Sequence, residues 1–210
     1  MPLGTLYLLP VPISETDLSL VTPNYNSELV NSLTCFIAED AKNARRFLKQ
    51  CGYNDISKAD ISELNEHTKS GNFSELLQPL LNGNNIGLLS DAGCPGIADP
   101  GAEVVRLAHQ KKIKVKPLIG PSSIVLSIMA SGFNGQNFAF VGYLPIEKSP
   151  RNKRIKELES LALKSNQAQF FIETPYRNNQ LFDDLIQTLQ PDTLLFVGIN
   201  LTSVTEKLQS

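Results

Sequence analysis

Cysteine is scarce in this chain. There are three, Cys35, Cys51 and Cys94, in 210 residues. They are odd in number and form no C-x-x-C pair, so neither a disulfide framework nor a zinc site is indicated, and no metal is expected. Long apolar runs are missing too. None approaches the roughly 18 residues that a membrane-spanning helix needs, and no signal peptide opens the chain, so a soluble cytoplasmic protein with no membrane partner is the expectation. An excess of positive charge is also lacking. Nineteen Lys and Arg face 21 Asp and Glu, for a net charge of −2. The isoelectric point near 5.7 is not that of a chain that binds nucleic acid through bulk charge. Any such contact must use a local patch. No internal repeat or low-complexity tract is visible.

What is present suits an α/β fold. A hydrophobic fraction of 41% supports a real core, and the length allows one large or two small domains. The stretch at 86–101, IGLLSDAGCPGIADPG, organises the reading. Its first four residues are apolar and too few for a helix, so they predict a buried strand. A loop of Asp, Gly, Pro and small residues follows. It ends at Asp99-Pro100, with the chemistry of a helix cap and a first helical position. Strand, glycine-rich loop and helix N-terminus together make a ligand cradle at the carboxyl end of a strand. Neither G-x-G-x-x-G nor G-x-x-x-x-G-K-[ST] is present. The loop carries two acids, Asp91 and Asp99, which suit a ligand with hydroxyls and positive charge better than a phosphate. S-adenosylmethionine, with its ribose diol, ammonium and sulfonium, has that chemistry. The alternative is that Asp99 only caps a helix and Asp91 only makes a turn.

Strand and helix patterns alternate up to residue 117. Strands are predicted at 5–9, 33–38 and 61–64, then at 86–89 and 111–116. This gives a right-handed βαβ series with a mainly parallel sheet. A domain boundary is placed there, between 1–117 and 118–210. Glu39 and Asp40 end the second strand, and Asp40 can cap the next helix. On that helix Lys42, Arg45, Arg46 and Lys49 share one face, read either as a solvated face or as a phosphate-contacting stripe. Residues 73–81 have helical spacing, with Pro79 kinking or shortening the helix. In the second half, helices are predicted at 122–131, from Ile155 and from Leu181, and strands at 138–141, 169–173 and 193–197. Lys148, Arg151, Lys153, Arg154 and Lys156 form a basic stretch, either a flexible loop or a grip on RNA phosphates.

The words LLSDAGCPGIADPG closely resemble the SDAG-x-P-x-x-x-DPG signature of the tetrapyrrole methylase superfamily. Within it, they resemble the branch that methylates a ribose 2′-hydroxyl of small-subunit ribosomal RNA. GTLYLLPVP, IAEDAKNARRFLKQCG, LNEHTK, LIGPSSIVLSIMASGF, FVGYLP and FFIETPYR fall in that family's order, so the resemblance covers essentially the whole chain. It implies two α/β domains with a cofactor cleft between them, S-adenosylmethionine as cofactor, ribosomal RNA of the small subunit as partner, and a homodimer. It implies cofactor contacts from Pro10, Asp91, Ala92, Gly93, Ile97, Asp99, Ser122, Ser123, Tyr143, Leu144 and Pro145. Candidate bases are Glu39, Asp40 and Glu66, with Glu173 and His67 behind them. His67, Arg151, Lys153, Arg154 and Arg177 are the candidate substrate contacts, although Arg177 can instead pair with Glu173. The chain departs from the family in its first loop, ISETDLSL, and in Ile199-Asn200, where the family has Arg-Glu. Family members also run on with further strands, so the second domain is expected to lack its last ones. A tetrapyrrole methyltransferase and an inactive cofactor-binding interaction module are the alternative readings.

Overall fold

The computed structural model describes residues 2–64 and 73–210. They divide into two compact units, Met1–Ser123 with Asn200–Thr205, and Ile124–Ile199 with Glu206–Ser210.

The first unit is built on five parallel strands. These are β1 (Thr5–Leu9), β2 (Cys35–Ala38), β3 (Asp60–Glu63), β4 (Ile86–Leu89) and β5 (Lys114–Pro117), in the order β3-β2-β4-β1-β5. The first helices are α1 (Leu18–Val21), α2 (Asn24–Ser32) and α3 (Ala41–Gln50). Then come α4 (Phe73–Leu76), α5 (Gln78–Leu81) and α6 (Gly101–Gln110). All four residues of β4 are buried, as the unbroken apolar run requires of a strand covered on both faces. Period-2 alternation sorts the side chains into two clusters. Leu6, Ile37 and Leu88 join Val104, Ala108, Leu77 and Leu80. Leu9, Phe36, Ala38 and Leu89 join Val30, Ala44, Phe47 and Leu48.

The helical pattern over 73–81 divides into α4 and α5, with Pro79 inside the first turn of α5. There its missing amide leaves no hydrogen bond unmade. Lys111 and Lys112 turn out of α6 rather than pairing, and β5 begins only at Lys114. Lys112 has a φ of +57°, a left-handed position that a strand does not tolerate.

The second unit holds α7 (Ser123–Ser131), β6 (Phe138–Tyr143), α8 (Lys148–Ser165), β7 (Ala168–Ile172) and α9 (Asn178–Thr188). It ends with β8 (Val197–Ile199) and β9 (Lys207–Gln209). β6 pairs with β7 in parallel, with an irregularity between Phe140 and Tyr143. β8 pairs with β9 antiparallel. Leu144, Ile155, Leu158, Leu181 and Leu185 form its core. Two expectations are corrected here. The stretch at 148–156 is not a flexible loop but the first half of an 18-residue helix. The last predicted strand starts at Val197, not at Thr193.

Candidate functional site

The carboxyl ends of three adjacent strands, β4, β1 and β5, carry loops that touch one another. Pro10 and Val11 follow β1, and Val11 makes an antiparallel bridge to Gly93 in the loop after β4. Val11 N donates to Gly93 O at 2.9 Å, and Gly93 N to Val11 O at 3.1 Å. Gly93 needs a φ of +74°, and a Cβ there would stand 3.3 Å from Ile13 Cγ2. The loop after β5 joins from the other side. Cys94 Sγ donates to Pro121 O at 3.4 Å. A Cβ on Gly120 would lie 2.3 Å from Pro10 Cβ. Glycine at that position lets the β1 and β5 loops approach as closely as they do.

The β4 loop is also closed upon itself. Ser90, buried at its root, donates from Oγ to Ala92 O and Gly93 O, both at 3.2 Å. Asp99 accepts from Gly96 N at 2.8 and 3.0 Å and from Gly101 N at 2.7 Å. Burial pushes the Asp99 carboxyl above its usual range, against the lowering effect of those two amides. The hydrogen bonds of Asp99, an expected cofactor contact, fold the loop and start α6. Burial, followed by the nearby Asp99 charge, raises the Cys94 thiol as well. Asp91, Ala92 and Ile97 are exposed at the rim. Their main-chain and side-chain groups are the ones this loop offers outward.

The carboxylates at the end of β2 have separate employments. Asp40 caps α3, accepting from Asn43 N at 2.7 Å. Glu63, at the end of β3, accepts from Ala41 N at 3.0 Å. Asp40, a candidate base in the sequence, has the geometry of an N-cap through Oδ1. Glu39 is half-buried. Glu63 was missed in the sequence. The signal was its place at the end of the strand beside β2, in register with Ala38. Glu66 and His67 lie outside the described residues. Among the described residues no group of three or more His, Cys, Asp or Glu could hold a metal ion.

In the second unit, Arg151 is 1% exposed. Its Nε donates to Asp184 Oδ2 at 2.7 Å, and its Nη2 stands 2.6 Å from the same oxygen. Its Nη1 donates to Pro145 O at 3.3 Å and to Ile146 O. Arg151 therefore does not present its charge to a phosphate. It ties the loop after β6 to α9. That loop holds Tyr143 and Pro145 outside the core and Leu144 within it. Leu144 can thus offer a ligand only its main chain. Lys153 is exposed, and Arg154 is paired with Glu157 at 3.2 Å. Arg177 pairs with Glu173, Nη2 to Oε1 at 2.6 Å, with both side chains largely covered. Glu173 also accepts from Thr174 N at 2.7 Å. Ser122 and Ser123, half-buried, lead into α7.

No family model matches the chain. Curated relatives do. Over 205 residues the chain is 32% identical to the ribosomal RNA small subunit methyltransferase I of Synechocystis sp., covering 98% of this chain and 70% of that protein. The chain belongs to this family. The protein of the same name from Escherichia coli is 29% identical over 205 residues, 98% of this chain and 68% of the relative. That from Bacillus subtilis is 32% identical over 187 residues, 89% of this chain and 60% of the relative. The crystal structure of the methyltransferase CobJ shares the fold, with a TM-score of 0.65 at 13% identity, covering all of this chain and 85% of that one. As a member of the family the chain is a methyltransferase that uses S-adenosylmethionine. Among the described residues no helix is long and apolar enough to cross a membrane.

Proposed function

We propose that this chain transfers the methyl group of S-adenosylmethionine to a ribose 2′-hydroxyl of small-subunit ribosomal RNA. The observation that carries the reading is the meeting of the β1, β4 and β5 loops in a member of this family. These loops fit the methyl donor. Glycine at 93 and 120 keeps them bare of side chains, and exposed Asp91 can accept from a ribose diol or an ammonium. Ile97, half exposed, offers an apolar face to a nucleoside base. Pro10, Ala92 and Gly93 then bind through main chain and shape, as do Ser122, Ser123 and the Tyr143-Leu144-Pro145 loop. Asp99 acts one step back, by holding the β4 loop closed.

The donor, when bound, supplies an electrophilic methyl carbon on a cationic sulfur. The protein's task is to hold the ribose oxygen in line with that carbon, a matter of proximity and orientation. A ribose hydroxyl is a weak nucleophile, so a carboxylate that takes its proton helps. Glu39, half-buried at the carboxyl end of β2, and Glu66 are the carboxylates proposed for that role, with Asp40 behind them. Of the second unit's basic stretch, Lys153 and Lys156 are exposed and open to RNA, and Arg154 reaches it only by leaving Glu157. A cytoplasmic location and a homodimer complete the proposal, the latter tested by sedimentation.

Calorimetric titration with S-adenosylmethionine, followed by methyl transfer to small ribosomal subunits, tests the reading. Binding together with label in a 2′-O-methyl nucleoside is expected. Label in a porphyrinogen and none in RNA would favour the tetrapyrrole branch. No donor binding would remove both.

A further inference from the structure

Resting on the ribosomal RNA reading above, the geometry points to α3 as the surface that grips the RNA phosphate backbone. The helix is divided sharply between two environments. Ala41, Ala44, Phe47 and Leu48 are buried, while Lys42, Arg45, Arg46 and Lys49 are all exposed. Among the described residues no ion pair engages any of these four cations. Arg46 donates at 3.3 Å to Asn43 Oδ1, a neutral neighbour. The acids at the head of the helix face its amides instead, Asp40 on Asn43 N and Glu63 on Ala41 N.

Other basic stretches lack this combination of exposure, freedom and position. On α8 the basic set is divided: Lys148 and Arg151 converge on Asp184 and Arg154 pairs with Glu157, while Lys153, Lys156 and Lys164 are exposed without an ion pair among the described residues. Lys111 and Lys112 precede β5, at the edge of the sheet away from the loops. By contrast, α3 starts at the carboxyl end of β2, and β2 pairs directly with β4. Its first turn therefore lies on the loop edge. From Lys42 to Lys49 the cations run about 10 Å along the helix, enough to meet two or three phosphates. Because the apolar face is buried in the core, this surface offers charge without greasy anchors. That suits a polyanion better than a membrane. Lysine and arginine on a backbone fix register and orientation without reading sequence, so the stripe positions the RNA and leaves selection of the nucleotide to the loops.

The test is a variant carrying Lys42→Gln, Arg45→Gln, Arg46→Gln and Lys49→Gln, compared with wild type on a small-subunit ribosomal RNA transcript. Binding is measured across about 50 to 200 mM salt. Affinity is expected to fall by at least about tenfold. The log–log salt slope should become shallower by about 1.5 to 2, at about 0.7 per contact to a single strand. KM for RNA should rise with kcat retained, while S-adenosylmethionine affinity and the melting temperature stay at the wild-type values. The pair Arg45→Gln/Arg46→Gln should flatten the slope more than Lys156→Gln/Lys164→Gln on α8. Unchanged KM and slope in the quadruple variant, with wild type methylating RNA normally, would overturn this inference and leave the parent reading standing. An α3 face that takes only anionic vesicles would likewise overturn this inference alone, whereas wild type that neither binds nor methylates RNA would overturn both.

Discussion

The two units hold their key loops by opposite means. In the first, the β4 loop is fixed through main-chain amides: a two-way bridge between Val11 and Gly93, and the amides of Gly96 and Gly101 gathered by the Asp99 carboxylate. In the second, the loop after β6 is fixed by one buried charge, Arg151, held between Asp184 and the carbonyls of Pro145 and Ile146. A loop held by many main-chain contacts is precise and leaves its rim open for a ligand. A loop held by one buried ion pair is more brittle, because removing either partner leaves a charge without compensation.

The largest expected effect breaks the brittle side. Arg151→Met strands Asp184 in the core and should cost about 3 to 5 kcal/mol in urea unfolding. Lys148, 3.6 Å from Asp184 Oδ1 and mostly exposed, offers only partial relief. The double change Arg151→Met with Asp184→Leu should recover most of that loss. Failure to recover would mean that the carbonyl contacts of Arg151, rather than its charge, hold the loop.

Next comes Gly120→Ala, which drives a methyl group into Pro10. Overpacking of this kind costs about 1 to 3 kcal/mol. Its signature should be weaker S-adenosylmethionine binding in calorimetry, since it parts the β1 and β5 loops.

Asp99 sharpens the comparison through pH. Its carboxyl is raised in the fold by burial, so the folded state holds that proton more tightly than the unfolded one. Its contribution favours the fold below the unfolded pKa of about 3.9, and is lost as pH rises through the higher folded value. Wild-type stability relative to Asp99→Asn should therefore fall as pH rises through that window. Asp99→Ala, which removes the acceptor for Gly96 and Gly101, should cost about 1 to 3 kcal/mol at neutral pH. The smallest effect is Asp40→Ala, about 1 kcal/mol for a lost helix cap. Methyl transfer should survive it if Asp40 is only a cap.

Much of the first unit was legible in the sequence, because its central strands are apolar and largely buried and its turns are punctuated by glycine and proline. The apolar run Ile86–Leu89 has one reading. The position of Asp99 two residues before a helix was equally plain. What was not legible was which way its oxygens turn. The same side chain serves a cap or a ligand, and only tertiary packing decides. Arg151 is the clearer miss. A run of basic residues reads as solvent-facing, yet Arg151 falls at helical spacing with Ile155 and Leu158 on the buried stripe of α8. That period was the available signal. Its partner, 33 residues away, was not visible to any local pattern. Glu66 and His67 fall outside the described residues, so their part is a matter for kinetics with Glu66→Gln and His67→Ala.

The central claim concerns chemistry. Wild-type protein should be incubated with methyl-labelled S-adenosylmethionine and small ribosomal subunits, and the RNA then digested to nucleosides. The account predicts label confined to a 2′-O-methyl nucleoside. Label on a base, or none in the RNA while the donor is bound, would contradict it.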